Sequence, residues 1–198
     1  MLPIYLASAS PRRRELMEQL GLKFSVVISN IDEGAGLGEN MPPGRLVEDL
    51  SLKKASQVAR GMDRGLVIGS DTVVVWRGRI LGKPGDRQDA LEMLKCLQGD
   101  EHVVYSGLAV INAETGMTHL SHEKTRVTFR PAGMEELERY VDTGEPWDKA
   151  GAYAIQGLGS IFVKGIEGCY SNVVGLPLAR LAGVLKQFGV DVLGGGPG

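Results

Sequence analysis

Ile4-Tyr5-Leu6-Ala7-Ser8-Ala9-Ser10-Pro11-Arg12-Arg13-Arg14, residues 4–14, is the stretch from which the rest of this 198-residue chain is read. A short apolar run predicts a strand, small hydroxyl residues make the turn, and Ser10-Pro11 has the N-cap and first-position chemistry that opens a helix. Three consecutive arginines then fall in the first helical turn, where the partial positive charge of the helix terminus disfavours cations. That cost suggests an anion. Backbone N–H groups, the hydroxyls of Ser8 and Ser10, and the forks of Arg12 and Arg13 together suit a phosphate chain. The alternative at this point is an exposed helix start with solvated arginines.

The chain is 43% hydrophobic with a net charge of −2, enough for a proper core and without a global basic field. A nucleic acid polymer or an anionic membrane is therefore not an expected partner, and any phosphate site must be local. Cys96 and Cys169 stand far apart and outside a C-x-x-C pattern, which argues against a disulfide framework or a zinc site and fits a reducing cytoplasm. No basic flank leads into a long apolar segment at the amino terminus, and no window has the length of a membrane span. The expectation is a soluble, cytoplasmic protein of one domain over 1–190, followed by a mobile Gly-rich tail over 191–198.

Past the arginines, Leu16 and Leu20 keep helical spacing and Gly21 stops the helix. Phe24 to Ile28 reads as a strand running into Asp32-Glu33, adjacent acids that suit either a solvated loop or a metal site at a strand end. A helix is predicted from Gly44 to Arg60, carrying Lys53 and Lys54, between which the pattern alone does not choose. Leu66 to Val75 is the most apolar run and predicts a buried central strand, interrupted by Asp71. An ionised carboxylate there needs a partner or a metal, and Gly69 and Ser70 just before it allow a close approach, so Asp71 is the first catalytic candidate. Arg77-Gly78 makes a tight turn. Gly82-Lys83-Pro84 lacks the full Walker A pattern, leaving Lys83 as a point charge on a loop.

A helix over Asp86 to Leu97 precedes a hairpin of His102 to Ile111 and Met117 to Phe129. His119 and His122, three apart on a strand, point to opposite faces, against a shared metal. A further helix runs from Gly133 through Val141. Residues 145–157 are dense in small residues with several polar groups, as in a loop packed against a ligand. Ile161-Phe162-Val163 reads as a strand and Leu178 to Phe188 as the last helix.

From Leu6 to about Phe188 the chain resembles the Maf family of nucleoside triphosphate pyrophosphatases. The resemblance is carried by Leu6 to Arg13, Asp32-Glu33, Lys54-Ala55, Ser70-Asp71-Thr72-Val73, Gly82-Lys83-Pro84, Lys149 to Tyr153, Ile155-Gln156-Gly157 and Val173 to Leu178. It implies an α/β fold with an elongated mixed β-sheet, flanking helices and two lobes around a cleft, similar in outline to inosine triphosphate pyrophosphatases. Asp148 to Tyr153 with Ile155-Gln156-Gly157 is similar to the branch that cleaves dTTP and UTP; the branch acting on 7-methyl-GTP differs there. Ala154, Cys169 and Ser106 depart from the family's usual Gly, Ser and Thr, and no departure removes a charged group.

The resemblance implies cleavage of a nucleoside triphosphate to the monophosphate and pyrophosphate. Mg²⁺, with Mn²⁺ as second choice, would bridge triphosphate oxygens and Glu33 and Asp71. Asp71 would activate water, while Ser8, Ser10, Arg12, Arg13, Lys54 and Lys83 would hold the phosphates, the family pattern selecting Lys54 over Lys53. Arg12, Thr72 and Gln156 are implied as the base-discriminating residues. Gln156 also has a direct argument, since a primary amide complements the O4 and N3–H edge of uracil or thymine, which cytosine reverses. Modified pyrimidine nucleotides and a homodimer remain open. So do a nucleotide-binding regulator of septum formation without turnover, a 7-methyl-GTP-type pyrophosphatase, and a phosphatase acting at the γ position.

Overall fold

The computed structural model describes residues 2–31 and 41–194. Seven strands form one mixed sheet. They are β1 (Ile4–Leu6), β2 (Ser25–Val26), β3 (Leu66–Trp76), β4 (Arg79–Leu81), β5 (Glu101–Asn112), β6 (Thr118–Phe129) and β7 (Val163–Glu167). The helices are α1 (Pro11–Gln19), α2 (Pro43–Ala59), α3 (Arg87–Leu97), α4 (Met134–Asp142), α5 (Tyr170–Val174) and α6 (Leu178–Gln187). The sheet order is β2-β1-β3-β5-β6-β7, with β4 paired to β3. β1 is parallel to both β2 and β3, whereas β4 runs antiparallel to β3 and β7 antiparallel to β6. The expected mixed α/β architecture is therefore present. By contact density the chain divides into two compact units, residues 1–71, 106–123 and 175–198 in one and 72–105 and 124–174 in the other.

In the first unit, β1 enters the sheet beside β3 with Tyr5 opposite Val67, and Ala7 N–H extends the ladder to the Ile68 carbonyl at 2.8 Å. α1 starts at Pro11 as expected, but the Ser10 hydroxyl makes no cap. Instead the Ser10 N–H donates to Ser8 Oγ at 3.2 Å, which tightens the turn itself. Gly21, at φ +66°, supplies the left-handed stop after α1.

How closely α2 approaches the sheet follows from two missing side chains. A Cβ on Gly69 would run into the Ser51 carbonyl, and one on Gly107 into the Val47 carbonyl and Ser51 Oγ. The helix therefore lies with its backbone against β3 and β5. The small residues Ala7, Ala55, Val58, Val67 and Ala109, with Ile111, fill the contact. Ser51, fully buried, returns its hydroxyl to the Val47 carbonyl at 2.6 Å, so the polar atom at the contact is satisfied within the helix.

The second unit is built on an aromatic and aliphatic core of Leu91, Leu94, Leu97, Phe129, Leu137, Tyr140 and Phe162, among others. α3 is capped by Asp86, whose Oδ1 accepts from Asp89 N–H at 2.8 Å. Arg77 and Gly78 both adopt positive φ, 45° and 80°, the conformation of a type I′ hairpin turn between β3 and β4. Ile161-Phe162-Val163 is not a strand. Residues Leu158–Phe162 form a 3₁₀ turn that delivers Phe162 to the core at zero exposure, and β7 begins only at Val163. An apolar triplet cannot by itself distinguish a strand from a tight turn that buries one side chain. α5 was likewise not expected as a helix, because five residues are too few to show a helical period. No helix of the described residues is long and apolar enough to cross a membrane.

The close helix approach makes a direct prediction. Gly107→Ala should destabilise the fold by about 1–3 kcal/mol, because the backbone atoms it meets cannot step aside. Gly183→Ala, in α6 with open space around it, should stabilise by about 0.5–1 kcal/mol. Urea unfolding of the two variants checks the contrast, and equal effects would contradict it.

Candidate active site

The N-terminal arginine run separates into three roles. Arg14 pairs with Glu18 at 2.8 Å on the exposed face, the ordinary solvated arrangement. Arg13 is buried: its Nε donates to the Gly175 carbonyl at 2.8 Å and its Nη1 to Ser8 Oγ at 3.4 Å. Arg12 lies between these extents of burial. Arg13 thus ties the β1–α1 loop to the segment before α6, and the solvated arrangement is seen at Arg14.

Gly175 joins this loop to β3. Ser70 Oγ lies 3.0 Å from the same Gly175 carbonyl and 2.7 Å from that of Gly107. The next residue is Asp71, and α2 carries Lys54 to it, Nζ to Oδ1 at 2.5 Å. Both side chains of this ion pair are about nine-tenths buried, at 8% and 10% exposure. The partner that a carboxylate in an apolar strand requires is therefore Lys54, which was expected on a phosphate. Lys53 pairs with Asp49 at 2.8 Å on the exposed face, so the structure separates the two lysines that the sequence pattern alone left undecided.

Ser8, Ser70, Asp71, Arg13, Lys54 and the Gly175 carbonyl form one connected polar set in the first unit. Ser10 belongs to it through its backbone. Glu33, the second expected metal ligand, lies outside the described residues. Sequence reasoning missed the Gly175 carbonyl altogether. Its only signal was a glycine in the resemblance segment Val173 to Leu178.

The second unit holds Thr72, Lys83 and Gln156. Lys83 is exposed, on a loop tied down when Gly151 N–H donates to the Gly82 carbonyl at 2.9 Å. Gly151 has φ +70°, and a Cβ there would press on Val74 at 3.1 Å. Lys149, 13% exposed, gives its Nζ to Asp148 Oδ1 and to the Glu145 carbonyl, both at 2.6 Å. Thr72 and Gln156 are half-buried.

Tyr153 is held by an edge-to-face aromatic group. Its hydroxyl meets His102 Nε2 at 2.7 Å, and its ring packs on Phe129 at 4.7 Å between centroids. Burial pushes the Tyr153 phenol up from its ordinary value, with Tyr140 adding to the rise. Tyr140 is raised as well, first by burial and then by the Glu145 carboxylate, so it remains a donor. Among the described residues, no group of three or more His, Cys, Asp or Glu side chains gathers as a metal site. His119 contacts Ser121, and His122 contacts Glu48.

Hydroxyls, a guanidinium and a buried lysine–carboxylate pair thus gather on one mixed sheet. Residues 3–188 match the family model described as Maf-like protein, and the chain belongs to that family. It is 53% identical over 193 residues to the dTTP/UTP pyrophosphatase of Desulforamulus reducens, covering 98% of this chain and all of that one. The dTTP/UTP pyrophosphatase of Pelotomaculum thermopropionicum is 54% identical over the same length and coverage. Among solved structures, a HAM1 protein from Coxiella burnetii superposes with a TM-score of 0.50 at 16% identity, covering 94% of this chain and 100% of that one. That likeness concerns the fold.

Two predictions arise from this geometry. Lys54→Met alone should cost about 3–5 kcal/mol by leaving Asp71 buried and unpaired, while Lys54→Met with Asp71→Leu should recover most of it. A double-mutant cycle by urea unfolding measures the coupling, and additive losses would show that the pair is not coupled. The second concerns pH. Burial lowers the His102 pKa from 6.5 to about 4, and its Nδ1 has no hydrogen-bond partner among the described residues. Between those values the unfolded chain binds a proton that the folded chain does not, so stability falls as pH drops from 6.5 toward 4, by up to about 3 kcal/mol. His102→Gln should remove that part of the acid limb in unfolding titrations at pH 7 and pH 4.5.

Proposed function

We propose that this chain is a soluble, cytoplasmic nucleoside triphosphate pyrophosphatase that cleaves dTTP and UTP to the monophosphate and pyrophosphate. The observation that carries the reading is the agreement at more than half of all positions, over 98% of the chain, with relatives named for that activity. The buried Asp71 adds a physical support. A carboxylate secured by Lys54 in the middle of an apolar strand is costly to retain for stability alone.

In this reading Asp71 accepts a proton from a water whose oxygen forms a bond to the α-phosphorus. The bond from that phosphorus to the bridging oxygen breaks, and pyrophosphate leaves with the electron pair. Arg12, Lys54 and Lys83 lower the cost of charge on the triphosphate and on the leaving group. An ammonium has three donors, so Lys54 can orient Asp71 and still face an anion. Ser8 and Ser10 line the loop at the start of α1, where helix N–H groups favour phosphate oxygens. Gln156, with Arg12 and Thr72, reads the base.

A divalent ion fits this set. Mg²⁺ is typically held by one or two carboxylates together with substrate phosphates and water, so Asp71, and Glu33 with it, would be enough to hold it. When bound, the ion would neutralise charge on the triphosphate. The described residues contribute one carboxylate to that task.

Phosphorus NMR of the products tests the reading, with Mg²⁺ and dTTP, UTP, CTP, GTP or 7-methyl-GTP in separate tubes. Monophosphate and pyrophosphate from dTTP and UTP are expected, and Asp71→Asn should lower kcat by at least about 10³-fold with nucleotide binding retained. Inorganic phosphate as the first product would point to a γ-phosphatase, and products from 7-methyl-GTP alone would overturn the base assignment. Binding without turnover would leave the regulator of septum formation.

A further inference from the structure

Residues 153–157, with Gln156 among them, link two 3₁₀ turns of the second unit, Ala150–Ala152 and Leu158–Phe162. The chain is pinned immediately after Gln156. One carboxylate collects both backbone donors: Leu158 N–H gives to Glu145 Oε2 and Gly159 N–H to Glu145 Oε1, each at 2.9 Å. Tyr140, projecting from α4, donates its hydroxyl to the same Oε1 at 3.0 Å.

Steric facts agree with these bonds. Gly157 has φ 79° and ψ −152°, a region open only to glycine, and a Cβ there would lie 2.6 Å from Glu145 Oε2. A Cβ on Gly159 would lie 2.7 Å from the Tyr140 hydroxyl and 2.6 Å from the Ala154 carbonyl. The backbone is thus drawn directly onto the two side chains, with no room for another residue type between them. Tyr140 is itself locked, at 4% exposure and with its ring edge-on to Phe162 at 5.1 Å between centroids. The Glu145 backbone is held in turn by Lys149.

We propose that Glu145 and Tyr140 are positioning residues that preset the Gln156 loop for reading the pyrimidine edge, so that base discrimination depends on a carboxylate and a phenol that need not touch the nucleotide. This rests on the assignment of Gln156 to the base. A preset loop matters because an amide discriminates uracil from cytosine only while its donor and acceptor are held in one orientation. A loop that swings would admit either base.

The test compares Glu145→Gln, Tyr140→Phe and Gln156→Ala in steady-state kinetics with UTP and CTP, alongside hydrogen exchange at residues 155–159. In Glu145→Gln a side-chain amide donor faces two backbone donors, so at least one of them is lost. Both positioning variants should raise KM for UTP about ten-fold with kcat changed less than about three-fold, and narrow the UTP-to-CTP ratio of kcat/KM. Faster exchange at Leu158 and Gly159 should accompany Glu145→Gln. If Gln156→Ala narrows the ratio while both positioning variants keep it at the parent value, the positioning role is wrong and the Gln156 assignment stands. If Gln156→Ala leaves the ratio unchanged, the assignment fails and the inference with it. A loss of kcat equal for UTP and CTP in Tyr140→Phe would indicate a merely structural role and overturn the proposal, and that variant decides the matter should Glu145→Gln fail to fold.

Discussion

The buried pair of Lys54 and Asp71 is the constraint on which the first unit depends. Neither charge is tolerable there alone, so a helix must bring the lysine to the strand within hydrogen-bond reach. An ordinary helix packs its side chains against a sheet and stands too far off. Here Gly69 and Gly107 remove the obstacles, and α2 lays its own carbonyls over them. The small residues of that contact, Ala55 and Ala109 among them, are thus part of the charge chemistry as well as the packing. Ser70 and Arg13, both turned to the Gly175 carbonyl, connect β3 beside the pair to the loop at the start of α1.

The second unit solves a different problem. Its polar segment from Glu145 to Gly159 has little regular structure, so its backbone donors must be satisfied by side chains. Glu145 takes two of them together with the Tyr140 hydroxyl, and Lys149 closes the turn from the other side. The aromatic group of His102, Phe129 and Tyr153 then holds the segment from beneath. A lysine and a glutamate in a loop motif are easily assigned to a ligand, yet here both have backbone work.

Much of the architecture was legible from periodicity and punctuation. The limits expected for α2, α3, β5 and β6 fall within a residue or two of those observed, because α2, α3 and β5 are long and carry an apolar pattern and the turn after Asn112 fixes where β6 begins. The misreadings were local. Phe162 lies in a 3₁₀ turn and α5 is a single short helix, both below the length at which a period can be recognised. At the site, Asp71 stood out because a charge in an apolar strand breaks a rule, and the resemblance to the Maf family selected Lys54. The Glu145 clamp broke no rule: a glutamate beside a proline in a loop looks solvated until its acceptors are seen facing Leu158 and Gly159.

The sequence by itself determined the family through the resemblance of its motifs, and, through near-neighbour spacing, the order of the long elements and the residues whose charges demand explanation. Tertiary structure decided which partner each charge takes: Lys54 for Asp71, the Gly175 carbonyl for Arg13, backbone N–H groups for Glu145. Those partners are 17, 162 and 13 residues away, and no local pattern spans such separations. The close seat of α2 on two glycines brings Lys54 to Asp71, and the succession of 3₁₀ turns from Glu145 to Phe162 brings Glu145 to Leu158 and Gly159.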